Sequence, residues 1–232
     1  MTVLQEELEH SKNKSIFKCE YSEEHGITIV QLCKENVETA LAILYQNKSY
    51  SYSNTSSGEA TSSAYWFKEM NRQPEHSAEY RKAVENTVNF VDKENGIHLN
   101  ADGVGRKQIA QRIIDYGKNN LFADLKLGSY KPYYVLAERT TGVKRGRQNK
   151  SFASKFCHFA CFHLFENKPE QDNYCIYDSI VKGALQYYLA GGEHYDLDDY
   201  AQYSEAIDSI LVKNGNCISR HGFDQLIWYY YK

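Results

Sequence analysis

The chain has 232 residues, 42% of them hydrophobic and 25% charged, with a formal net charge of −3. That balance is that of a soluble globular protein rather than a disordered or membrane one, and the length predicts one large domain or two closely packed lobes. No uncharged apolar run reaches bilayer-spanning length, and the first residues, MTVLQEELEHSKNKS, lack a signal-peptide core, so no membrane association and a cytoplasmic location are expected. Six cysteines in such a chain are read as reduced thiols rather than disulfides.

Only three prolines interrupt the chain, which leaves long stretches free to be helical and makes a mainly α fold the first expectation. Residues 27–45, ITIVQLCKENVETALAILY, begin strand-like and turn helical, with Val37, Leu41, Ile43 and Leu44 on recurring turns. The Ser-rich stretch 47–64 has no apolar period and reads as a loop. Helices are expected over 65–71, over 77–93 ending near Asn95 and Gly96, and over 105–118 ending at Gly117. Residues 126–142, KLGSYKPYYVLAERTTG, read as extended or irregular. Helices resume over 151–165, 178–190, 198–213 and 220–231. The aromatic tail Trp228 to Tyr231 is expected to pack against the N-terminal lobe, with help in stacking a base as the alternative.

Charge is unevenly placed. From Lys126 to Lys155 there are eight basic residues against one acid, whereas from Phe156 to the end eleven acids outnumber five bases. A basic stripe beside an acidic lobe suits a polyanion docked on one face, because phosphate contacts supply sequence-independent affinity. A solvated basic loop is the plain alternative.

The most informative residues are Ser151 to Phe159, SFASKFCHF, followed after the polar insertion ENKPEQDN by Ile176 to Ser179, IYDS. These two segments resemble the helix-hairpin-helix DNA glycosylases, in particular the 8-oxoguanine DNA glycosylase-like branch, whose members carry S-[FW]-A-S-K-x-x-H-F before I-Y-D-S. The match covers about thirty residues. It implies two packed helical lobes, a helix-hairpin-helix element and an interlobe cleft. The whole chain, 1–232, would be a single glycosylase-like unit, with an N-terminal segment 1–64 and a helical core 65–232 holding the hairpin near 144–165.

Each residue then acquires an expected role. A polar, basic turn leading into a helix can hold a DNA phosphate on its free N–H groups, with Lys144, Arg145, Arg147 and Ser151 as the DNA-binding residues. Asp178 opens the following helix, where a carboxylate can simply cap the exposed N–H groups. By the resemblance it is the catalytic carboxylate, stabilising the cation that develops at C1′ as the base departs. Lys155 and Lys150 are the candidate amine nucleophiles. Should Ser151 stand at the usual lysine position, water attacks instead. Phe152, His158 and Tyr177 are candidates for the base pocket. The usual Gly and Pro before the aspartate are replaced by Cys175 to Tyr177, and the insertion lengthens the lysine-to-aspartate spacing.

A rival placement uses Gly103-Val104-Gly105-Arg106-Lys107 as the hairpin and Asp124 as the carboxylate. It is set second because Asp124 leads into LKLGSYKP, where no helix is expected for it to cap. Cys157, His158, Cys161 and His163 lie close in sequence, but on a helix the two histidines diverge, so core packing is expected and neither metal nor cofactor. The function implied is excision of a damaged or modified base from double-stranded DNA by a monomer associated with the nucleoid, in repair or in defence against phage with modified DNA, hypermodified cytosine included. The alternative is a catalytically silent DNA-binding or damage-sensing protein. A helical toxin-like ribonuclease is disfavoured, since Arg72 and His76 stand closer than the spacing such proteins use.

Overall fold

A computed structural model describes residues 14–46, 62–97, 99, 104–140 and 149–232, and it is mainly helical. No helix among the described residues is long and apolar enough to cross a membrane. The described residues fall into two compact units, one drawn from both ends of the chain (within 1–47 and 178–232) and the other from the middle (within 48–177). The sequence reading keeps 65–232 together, whereas this division runs between Tyr177 and Asp178.

In the unit built from the chain ends, β1 (Cys19–Ser22) and β2 (Ile27–Val30) form an antiparallel hairpin in which Cys19 faces Val30 and Ser22 faces Ile27. Gly26, at φ 65°, makes the turn at a backbone conformation open to glycine. Helix α1 (Lys34–Gln46) follows. The buried Asn36 side chain ties the two together: it accepts from the Lys18 N–H at 2.9 Å and donates to the carbonyls of Lys18 and Gln31 at 2.8 and 2.9 Å. Among the described residues this unit also holds α8 (Ser179–Leu185), α9 (Tyr200–Lys213) and α10 (Arg220–Tyr231), and α10 packs on α1 and α8. Their starts are encoded locally, because Asp178, Asp199 and Ser219 each accept a backbone N–H of the first turn. Burial of Val30, Leu44, Leu185, Tyr203, Phe223 and Leu226 forms the core. The aromatic tail packs as expected: Tyr229 and Tyr230 lie 5.8 and 5.9 Å from Phe17, and Tyr231 shares a 3.0 Å hydrogen bond with Tyr188.

The middle unit comprises α2 (Ser63–Arg72), α3 (Ala78–Glu94), α4 (Val104–Tyr116), α5 (Lys118–Leu127), α6 (Lys131–Ala137) and α7 (Lys150–Leu164). Ser62 and Ser77 cap α2 and α3 by accepting from the N–H groups of Tyr65 and Tyr80. Helix α7 is the centre. Every one of its residues from Phe152 to Cys161 except Lys155 is buried, and α2, α3, α5 and α6 all pack on it. A helix apolar on nearly all sides is one that other helices surround.

The stretch 126–142, read from the sequence as irregular, instead holds the end of α5 and all of α6. Gly128, at φ 69°, ends α5, and Pro132 sits in the first turn of α6, where its missing N–H costs nothing.

Candidate functional site

The two matched segments are separated by the insertion, yet the middle unit brings the first of them against residues 174–177, which include Ile176 and Tyr177 of the second. Residues 174–177, in neither helix nor strand, are hydrogen-bonded to α7, with Tyr174, Cys175 and Ile176 buried. Ser154, fully buried on α7, accepts the Tyr177 N–H at 2.9 Å and donates to the Ser151 carbonyl at 3.1 Å, so its hydroxyl is used in both directions. One turn later His158 donates from Nδ1 to the Tyr174 carbonyl at 2.8 Å. Burial pushes the His158 imidazole below its ordinary range, which favours the neutral ring. Tyr174 in turn donates to the Ser129 carbonyl at 2.6 Å, and Asn173 caps the end of α5 by donating to the carbonyls of Leu125 and Lys126.

Asp178 follows Tyr177 by one peptide bond and begins the other unit. It is the N-cap of α8, in extended backbone, and its carboxylate accepts the Ile180 N–H at 2.8 Å. One oxygen is thereby committed to the helix start.

The lysine candidates both lie on α7. Lys150, in the first turn, places Nζ 5.6 Å from the centre of the Tyr177 ring. Lys155 is the half-buried break in an otherwise buried run. Ser151 is half-buried in the first turn. The helix N-cap, Asn149, makes no side-chain capping bond; its amide donates instead to the Glu138 carbonyl at 2.8 Å. Lys144, Arg145 and Arg147 lie outside the described residues.

Of the residues expected to line a base pocket, Phe152 and His158 are buried in the middle unit, Phe152 stacked 6.0 Å from Phe156 and His158 6.0 Å from Phe162. Tyr177 is half-buried. Cys157 and Cys161 are buried thiols whose pKa values burial pushes up, and burial pushes His163 down to about 4. Among the described residues no three His, Cys, Asp or Glu side chains are grouped to hold a metal ion.

The rival carboxylate has a different setting from the one expected. Asp124 lies within α5, not before an irregular stretch, and accepts the Tyr116 hydroxyl at 2.5 Å. The premise that no helix forms there is therefore corrected, although Asp124 caps no helix start. Helix α4 does begin at Val104, within the Gly-Val-Gly turn, and a Cβ on Gly105 would stand 2.4 Å from the Leu99 carbonyl oxygen.

One anchoring residue is not signalled by the sequence. Arg112 on α4 donates to the carbonyls of Glu138 and Arg139 at 2.7 and 2.6 Å, holding the chain where the basic stripe departs from α6. A lone arginine within a helical pattern carries no sign of that contact. Compared with family models, curated proteins and solved structures, the chain matches none.

Proposed function

We propose that the protein is a DNA glycosylase that excises a damaged or modified base from double-stranded DNA, with Asp178 as its catalytic carboxylate. The observation that carries this reading is the joining of the two matched segments: Ser154 and His158 of the first hold the backbone that leads into the Asp178 cap of the second. A helix-hairpin-helix element near 144–165 would grip the DNA backbone through Lys144, Arg145, Arg147 and Ser151. The target nucleotide would leave the stack, and Asp178 would stabilise positive charge at C1′ as the glycosidic bond breaks.

The attacking group is either a lysine amine, from Lys150 or Lys155, or water. An amine attack would form a C1′–N bond as the bond to the departing base breaks and, as the sugar ring opens at C1′–O4′, give a Schiff base able to lead to strand cleavage; water would leave a bare abasic site. Repair and defence against phage with modified DNA are equal settings for this chemistry, and the latter includes a hypermodified cytosine as target.

A second reading, a silent DNA-binding protein, is favoured by one observation: the Asp178 cap accounts for that carboxylate without catalysis. The two are separated by incubating the protein with duplexes carrying 8-oxoguanine, uracil, alkylated bases or phage-type modified cytosines, then treating with alkali to reveal abasic sites. The glycosylase reading expects alkali-labile sites in one duplex. Binding to every duplex with no base lost from any supports the silent protein.

A further inference from the structure

Two buried polar side chains on α7 find partners in a segment distant in sequence. Ser154 and His158 stand four residues apart, hence on one face of the helix. Both are directed to the main chain of 174–177, at 2.9 Å from the Tyr177 nitrogen and 2.8 Å from the Tyr174 oxygen. The intervening side chains of Cys175 and Ile176 are buried, so the segment is fixed by packing as well as by hydrogen bonds. Apolar residues at 154 and 158 would fill such a core without desolvation cost, whereas a serine and a histidine there need partners, and this segment supplies one to each.

We infer that Ser154 and His158 are positioning residues, which set the backbone of Tyr174 to Tyr177 on α7 and with it the chain that leads into Asp178, the next residue. The inference rests on the glycosylase reading for its catalytic meaning. Its physical basis is that a carboxylate aimed at a developing charge must be held within a fraction of an ångström, and that misplacement by about 1 Å can cost about a hundredfold in rate.

The test uses the full chain and three variants. Ser154→Ala removes the acceptor for the Tyr177 N–H. His158→Leu removes the ring donor at similar volume. His158→Asn keeps an amide N–H near the position of Nδ1. Hydrogen exchange of the 174–180 region is measured in each, beside the single-turnover rate of base release and the affinity for the duplex that the wild-type protein processes. The expected result is faster exchange in Ser154→Ala and His158→Leu. Base release should fall about tenfold or more with duplex affinity within about twofold, and His158→Asn should recover most of both losses.

Unchanged exchange in Ser154→Ala and His158→Leu would overturn the inference whatever the activity. Loosened exchange with base release at the wild-type rate would also overturn it, while leaving the glycosylase reading standing. If the wild-type protein itself releases no base, the reaction reading fails and the catalytic role of the two residues falls with it; that failure is distinguished by being present before any substitution.

Discussion

The Asp178 carboxylate accepts the Ile180 N–H at 2.8 Å, and the same residue follows directly on Tyr177, whose own N–H is held by Ser154. Asp178 thus has a structural duty separable from a catalytic one. Replacing it by alanine removes the cap and should cost about 1 kcal/mol of stability, while asparagine caps about equally well and should be close to neutral. Urea denaturation of the two variants checks this. An alanine variant as stable as wild type would show that the cap contributes nothing.

Two glycines in helices should respond to alanine with opposite signs. A Cβ on Gly105 would lie 2.4 Å from the Leu99 carbonyl oxygen, a backbone atom that cannot swing aside, so Gly105→Ala should destabilise by about 1–3 kcal/mol. Gly183, exposed in α8, has nothing within 4 Å of an added Cβ, and Gly183→Ala should stabilise by about 0.5–1 kcal/mol. Melting temperatures moving in the same direction would contradict the packing at Gly105.

Acid should weaken the middle unit through His163. Burial, and then the neighbouring His158 and Lys68, depress its pKa from the ordinary 6.5 to about 4. Between those values the unfolded chain binds a proton that the folded state refuses, so stability is full above about pH 6.5 and is lost as pH falls toward about 4. His163→Gln should flatten this part of the stability-against-pH curve relative to wild type. Parallel curves for the two proteins over that window would refute the assignment.

Replacing Lys144, Arg145 and Arg147 together by alanine should weaken binding to duplexes of any sequence alike. If all three contact phosphates, the slope of log affinity against log salt should become shallower by about 2–3. An unchanged slope, read by fluorescence anisotropy over a salt series, would remove them from the interface.

Much of the fold is readable because helix boundaries are written in short-range chemistry. Ser77, Asp178, Asp199 and Ser219 are capping residues immediately before apolar periodicity, and the helices behind them begin where that pattern says. The failure at 126–142 has the same origin. Gly128 and Pro132 read as breakers of an irregular stretch, when one closes α5 and the other opens α6. Strand β1 is four residues, mostly exposed, and has no apolar alternation to announce it. At the candidate site, Asp178 and the lysines are legible from the motif. The hold of Ser154 and His158 on 174–177 is not, since spacing along a chain says nothing about which buried hydroxyl meets which distant N–H. Phe152 and His158 are buried on α7, and aromatic side chains serve stacking and packing equally well.

The most direct test of the central claim is free-base release, followed by mass spectrometry, from the duplex that the wild-type protein processes, with Asp178→Asn measured beside it. Asparagine keeps the cap and removes the charge, so the account predicts a folded variant that binds the duplex as wild type does and releases base at least about a hundredfold more slowly. Base release by Asp178→Asn at the wild-type rate would contradict it and take the catalytic role away from Asp178.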